Sequence, residues 1–513
     1  MKPGNDLFLL IKSLQKSEKR YFRLFASRHV IGEQNTYLKL FDVIIQQKQY
    51  DEERIKEIFK KKRMGKNLAV EKNRLYGLVL KSLSDFHSGI SVEAKLRDHM
   101  QQIEVLFEKG LYEQGIKIIK KAKKIAIETH KHLYLLELQR WEKRLLAINQ
   151  YQSDVKNRVN IIYEEAFTWT DKYQKLLRIE QTYYNVLNFH QTENKVRKKN
   201  DLIKLRKTVE AIQAKTNENN LDTIQKLYYY SMLSSYYRLE SNPTKAYKYL
   251  YKQNSLYSEK PADIGELIIY ISSMNNLSLI QLELHKYTEA HETLTKVRQA
   301  GSLPISQKSL RVKTAIFISY SIELEIYITI GDFEKGMLIV KSKQKELEKY
   351  ESTLGASFVF TFWYGFANVC FGVGEYKKSL MWLNKITDHP EQHVRLDVQC
   401  FARILGLIVH YELGNEIQLP YYVRSVYRYL LKRQRLFKFE VLILEFIRKK
   451  TPKINSANDL RIAFAELKES MLILKKDKQE KRAFDYFDFI SWLESKIEKR
   501  SFSEIVQGKA KNN

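Results

Sequence analysis

The stretch Asp388-His389-Pro390-Glu391-Gln392-His393 holds the residue types closest to metal chemistry. Two histidines four residues apart share one face of a helix, and imidazole and carboxylate groups are divalent-metal donors. Pro390 stands between them, however, and proline breaks a helix by removing an N–H and clashing with the preceding turn. The segment is expected to be a loop without a metal. Adjacent acids can do acid–base work, but Glu164-Glu165 and Glu323/Glu325 fit solvated helix faces better. The two cysteines, Cys370 and Cys400, lie in apolar helical patterns and read as buried free thiols. That usage points to a reducing, cytoplasmic setting. The sequence contains no phosphate loop, dinucleotide-binding glycine turn, nucleophile elbow or metalloprotease helix motif. The expectation is a protein that is not an enzyme, with no catalytic residues, cofactor or metal.

The elements that would carry any site are helices. Only 18 glycines and 7 prolines punctuate 513 residues, so long helices joined by short polar loops are favoured. The first residues, MKPGNDLFLLIKSLQKSEKR, hold too short an apolar run for a signal peptide. Residues 352–374 carry no charge, which suggests a membrane span. Their Ser, Thr, Asn and four glycines fit a buried helix better, and no membrane insertion is expected. The net charge is +28. Its excess sits at both ends, while 221–420 is nearly neutral. A basic surface attracts nucleic acid, anionic lipid or acidic protein; solvated lysine-rich helix faces explain it equally well.

A repeat organises the middle. Taking Gly110, Ser241, His285, Gly331, Gly374 and Gly414 as turn landmarks, the last four intervals are 44, 46, 43 and 40 residues. The longer first gap leaves room for two degenerate units. Five residues after each landmark stand Gly115, Ala246, Ala290, Gly336, Ser379 and Leu419, small in all but the last. Nine after stand Ile119, Leu250, Leu294, Val340, Leu383 and Val423, all large and aliphatic. Tyr112, Tyr287, Phe333 and Tyr376 add an aromatic two residues after four of the landmarks. Two antiparallel helices need a small side chain where they cross. The aromatic would plug the hairpin end, and the aliphatic residue would bury against the next unit.

In these residues the chain resembles the tetratricopeptide repeat. The match is clearest in Trp363, Phe366-Ala367, Cys370, Gly374-Glu375-Tyr376, Ser379, Leu383 and Ile386, and recurs around Tyr230–Leu250 and Met274–Val297. The family unit is about 34 residues; these units are longer, and the one containing Leu419-Pro420 departs most. The resemblance implies an all-α, right-handed α-α superhelix, a TPR-like solenoid whose first helices line a concave face that binds a peptide or helix. Carried onto this chain, the groove candidates are Ser231, Ser235, Arg238, Ser272, Asn275, Ser321, Glu325, Tyr364, Asn368 and Tyr411. Asn amides can pair with an extended backbone. The paired basic residues with which some family members grip a C-terminal carboxylate are absent from these slots.

The expected organisation is an N-terminal basic helical domain (1–90), degenerate helical repeats (91–220), TPR-like repeats (221–420) and a basic helical C-terminal cap and tail (421–513). In the first, a helix capped by Ser17, two short helices and an amphipathic helix over 68–86 are expected. If these form a helix-turn-helix, Lys72, Arg74 and Lys81 would meet nucleic acid; a helical cap or docking domain is the plainer reading. Further basic clusters lie at 59–66, 117–124, 195–200 and 424–439. In the last, Val426, Leu430 and Phe437 suggest one buried stripe, and the final VQGKAKNN suggests a frayed tail. The function expected is non-catalytic protein–protein interaction through a groove that binds a peptide or helical segment. The alternative is a nucleic-acid-binding transcriptional regulator in which the repeats act as sensor.

Overall fold

The computed structural model describes residues 3–27, 36–59, 67–89, 91–148, 155–191, 199–240, 242–257, 264–304, 306, 309–351, 354–415, 417–450, 457–477 and 480–512. Within these the chain is all-α, without a strand. It divides into two compact units, Met1–Leu267 and Ile268–Asn513. The basic clusters at 59–66 and 195–200 fall largely outside the described residues, as does the Ser241 landmark.

The first unit begins with α1 (Pro3–Ser13), α2 (Lys16–Ser27), α3 (Thr36–Gln46), α4 (Glu52–Phe59) and α5 (Leu68–Phe86). Their apolar stripes close on a core of their own that includes Leu7, Ile11, Phe22, Phe41, Ile44, Ile55, Leu75 and Val79. Helix α2 starts two residues early, at Lys16, so Ser17 lies in its first turn instead of capping it. There the Gln15 N–H donates to Glu18 Oε2 at 2.6 Å.

Next come α6 (Val92–Glu108), α7 (Tyr112–Glu128) and α8 (His132–Ile148), each packed on its neighbour around Leu96, Ile103, Ala122, Ala126, Leu135 and Leu138. The 37-residue α9 (Val155–Gln191) packs against α8 and also against α11 (Thr223–Leu239), which pairs with α12 (Pro243–Asn254). Helix α10 (Lys199–Lys215) adds Leu205 and Val209 to the core that α9 and α11 share.

Helix α13 (Ile264–Glu283) spans the division between the units. The second unit continues with α14 (Tyr287–Gly301), α15 (Leu310–Ile330), α16 (Phe333–Tyr350), α17 (Ala356–Gly372), α18 (Tyr376–Thr387), α19 (Leu396–Glu412) and α20 (Leu419–Lys432). Within the uncharged stretch, residues 356–372 form α17, buried along most of its length. Among the described residues no helix is long and apolar enough to cross a membrane. Helices α21 (Lys438–Glu445), α22 (Ala457–Lys476), α23 (Phe489–Glu498) and α24 (Phe502–Asn512) complete the unit.

Two expectations for the end of the chain are corrected. Residues 502–512 are helical, with Ile505 and Val506 buried. Gln507 Nε2 and Ser503 Oγ both donate to the Gly331 carbonyl, at 2.9 and 3.1 Å. Phe437 is 47% exposed, whereas Val426 and Leu430 are buried. The reason is that α20 ends at Lys432 and Gln434 turns the chain with φ 54°.

The hairpin turns share one construction. Gly110, Gly331, Gly374 and Gly414 have φ between 69° and 81°, and His285 has φ 58°. This is the left-handed region that glycine enters without Cβ strain. At most of these turns the next N–H reaches back to close a six-residue loop on the helix just ended. The bonds are Leu111 N to Leu106 O (2.9 Å), Lys286 N to Gln281 O (2.8 Å), Glu375 N to Cys370 O (2.8 Å) and Asn415 N to His410 O (3.0 Å). The small residues at the fifth position are buried. Ser379 Oγ donates to the Ala367 carbonyl at 2.8 Å, which needs close helices. A Cβ on Gly336 would stand 2.9 Å from Val369. All six aliphatic residues at the ninth position are buried. Leu419 departs in size but is also buried, and Pro420 is accepted near the start of α20.

Candidate functional site

The expected groove residues separate into two kinds. In the first unit Ser231, Ser235 and Arg238 are half-buried on α11. In the second, Ser272 and Glu325 are exposed, and Ser321 is half-buried with its Oγ donating to the Ile318 carbonyl at 2.8 Å. Tyr411 is half-buried, its ring 6.0 Å from Phe464 and 6.2 Å from Trp492.

Asn275, Tyr364 and Asn368 are corrected, because all three are buried. Asn275 Nδ2 donates to the Ala315 carbonyl at 2.7 Å, tying α13 to α15. Asn368 Nδ2 donates to the Tyr364 carbonyl at 2.9 Å within α17. An amide that satisfies a backbone carbonyl can be buried without an unmade hydrogen bond on that nitrogen. All three side chains are taken off any open face; Asn275 and Asn368 act as interior ties, while Tyr364 Oη is buried without a hydrogen-bond partner.

An open cleft of about 330 Å³ lies between α14, α15 and α16. Lys313, Ile316, Phe317 and Tyr320 line it from one face of α15, Arg298 from α14 and Lys343 from α16. Tyr320 is held between two cations: the Arg298 guanidinium is 4.5 Å from its ring centre and the Lys343 ammonium 4.2 Å. Such cation–aromatic contacts fix a ring in place. Beneath them Glu323 is buried, correcting its reading as a solvated acid; Glu325 does stay exposed. Glu323 accepts from Arg298 and from Tyr327 Oη (3.3 Å), and His291 Nδ1 lies 3.6 Å away. Burial pushes the Glu323 carboxyl up, but His291 and Arg298 outweigh it and hold it below the ordinary carboxylate range. Burial beside Glu323 pushes the Tyr327 hydroxyl up to about 12. The Arg298 Nε is buried without a hydrogen-bond partner. Sequence reasoning missed this cleft because its lining residues come from three helices and share no motif; the spacing Lys313, Ile316, Phe317, Tyr320 on one helix face was its only trace.

The nucleic-acid candidates also separate. Lys72 is buried, its Nζ donating to Tyr50 Oη and Glu52 Oε2 at 3.0 Å each, so its charge is spent inside the N-terminal helices. Arg74 is exposed and pairs with Glu71 at 3.2 Å. Lys81 is exposed. On α20 the exposed side chains include Tyr421, Arg424, Tyr427, Arg428 and Lys432, and Arg424 lies 4.7 Å over the Tyr421 ring.

The segment 388–393 is a non-helical connection, as expected. The His389 ring packs edge-on to Phe360 and Trp363. Glu164 is exposed, whereas Glu165 accepts from Lys123 (2.9 Å) and Gln139 (3.2 Å). Among the described residues, the cluster of donor side chains that fits a metal is elsewhere: His130, His132 and Asp222.

No protein-family model matches the chain, and no curated protein is detectably similar to it.

Proposed function

We propose that this chain is a non-catalytic protein-interaction scaffold of the tetratricopeptide-like kind, which binds a peptide or helical segment of a partner on its stacked hairpins. The observation that carries this reading is the cleft between α14, α15 and α16, where Tyr320 is fixed between Arg298 and Lys343. A rigid aromatic flanked by cationic donors suits a polypeptide, offering apolar area and partners for carbonyl or carboxylate oxygens. The exposed Ser272 and Glu325 extend the polar surface of the same unit. The two buried free thiols, pushed up to about 11 at Cys370 and about 12 at Cys400 by burial, are unreactive and fit a cytoplasmic protein.

The test is capture of partners from lysate at low and high salt, with a nuclease-treated arm, using the native chain and Tyr320→Ala/Lys343→Glu. A protein retained in high salt and after nuclease, and lost with the double variant, is expected. The competing reading, a nucleic-acid-binding regulator, draws on the exposed tyrosines and arginines of α20, since stacking rings beside cations suit single strands. Recovery only of nucleic acid, released by salt, would replace the first reading with the second, because phosphate contacts weaken steeply as salt rises.

A further inference from the structure

We propose that His130, His132 and Asp222 form a binding site for a divalent transition-metal ion of the zinc class, which clips the α7–α8 turn to the start of α11. Their donor atoms all lie within 4.8 Å of one another. Two imidazoles and a carboxylate are a donor set that zinc and its neighbours in the first row accept, with water completing the shell.

The observation that points to a ligand is His132. Its side chain is fully buried, and neither ring nitrogen has a hydrogen-bond partner. A buried imidazole normally satisfies at least one nitrogen. Nε2 lies 2.9 Å from Asp222 Oδ2, yet the two are not aligned as a hydrogen bond, and that carboxylate oxygen too is buried without a hydrogen-bond partner. Two ligands on a tetrahedral zinc, with bonds of about 2.0–2.1 Å, stand roughly 3.3 Å apart, close to this separation. The ring is steadied by stacking on Trp169, 5.9 Å away with planes 22° apart.

The other two donors are positioned by backbone features that leave them free for this role. Asp222 caps α11 through Oδ1, which accepts the Gln225 N–H at 3.0 Å, and Gln225 Oε1 accepts the Asp222 N–H at 3.1 Å. One carboxylate oxygen therefore serves the helix and the other faces the histidines. His130 occupies the left-handed position of the α7–α8 turn, φ 53°, closed by Lys131 N to Ala126 O at 2.8 Å. Four equivalent turns use glycine there. A β-carbon is disfavoured in this conformation, but His285 adopts it in the α13–α14 turn, so the part His130 plays rests on its distance from His132 and Asp222. Lys172 stands near His130, its Nζ 4.5 Å from the Trp169 ring centre; its flexible stem lets the ammonium move away from an incoming cation.

The site joins residues about ninety positions apart. The α7–α8 turn belongs with the core of α6–α8, and Asp222 with that of α9–α11. A metal there would hold the two cores of the first unit together, a reading independent of the partner-binding proposal.

The experiment uses the full chain, stripped with chelator, then titrated with Zn²⁺, with Co²⁺ as a spectroscopic probe and Mg²⁺ as control. His130→Gly keeps the turn, since glycine occupies its equivalents, and Asp222→Asn keeps the helix cap. Expected are saturable 1:1 binding of Zn²⁺, a Co²⁺ absorption band of a nitrogen- and oxygen-ligated ion, and a raised melting temperature. Each variant should bind at least about tenfold more weakly while melting normally without metal. Absence of saturable binding to the native chain, or binding that both variants leave unchanged, would overturn the site.

Discussion

The two units solve the same packing problem differently. In the first, the helices gather round separate cores: one for α1–α5, one for α6–α8, one for α9–α11. Polar ties supplement them. Lys72 reaches Glu52, and Lys123 is held by both Glu142 and Glu165 at 2.9 Å. In the second unit one large core, dense in aromatic rings, runs from Phe317 on α15 to Leu493 on α23, beside a smaller one of Leu282, Ala290, Leu294, Ile322 and Ile326. A continuous apolar core spreads any local damage over many neighbours, whereas separated cores depend on the few groups that span between helices. The polar ties of the first unit should therefore respond to charge and pH and the large core of the second to side-chain volume, with Arg298–Glu323 the second unit's own charged tie.

The largest effect expected lies in the second unit. Trp382 is buried and meets Phe366 at 5.2 Å. Trp382→Ala should cost about 3–5 kcal/mol, seen as a lower urea midpoint by circular dichroism. Gly372→Ala comes next. Its Cβ would stand 2.1 Å from a ring carbon of the buried Phe333, so roughly 1–3 kcal/mol should be lost through overpacking. If either change proved harmless, the second unit would not be limited by volume.

In the first unit, Lys123→Met should cost about 1 kcal/mol, allowing for the partial exposure of Glu165. Burial pushes Lys123 down, but Glu165 and Glu142 outweigh it and raise it overall. Burial pushes Glu165 up, but Lys123 outweighs it and lowers it overall. The raised lysine stabilises fully below its unfolded value near ~10.4 and loses its contribution as pH climbs through the folded value. The depressed carboxylate stabilises above its unfolded value near ~4.3 and loses its contribution as pH falls through the folded value. The gap between native and variant melting temperatures should thus be widest between those limits and narrow on both sides. A pH-independent gap would mean the lysine acts only through packing. The smallest effect is expected for Arg74→Ala, an exposed arginine paired one helical turn away with the half-buried Glu71, at under about 0.5 kcal/mol in the same melts.

The hairpins were legible because their signal is steric. A turn that needs positive φ selects glycine, and a close crossing selects Gly115, Ala290 or Ser379. The same turn at His130 was missed, unlike that at His285, because Leu135 and Gln139 stand where the repeat has a small and a large aliphatic residue. The candidate groove residues were less legible because polarity was read as exposure. Asn275 and Asn368 are polar and buried, each donating to a carbonyl that sequence does not reveal. His132 and Asp222 meet only through the fold, with no spacing to mark them. The course of Phe437 depended on where α20 stops, and the terminal helix on a carbonyl at Gly331.

Helix α17 carries a consequence for biosynthesis. Its uncharged surface is covered partly by α15 and α16, which precede it, and partly by α18 and α19, which follow. As the chain leaves the ribosome, the side facing α18 and α19 is bare until roughly forty further residues have emerged; synthesis proceeds at about 5–20 residues per second. For those seconds the nascent chain displays an apolar strip rich in Phe, the kind of surface that chaperones shield and that aggregates when they do not.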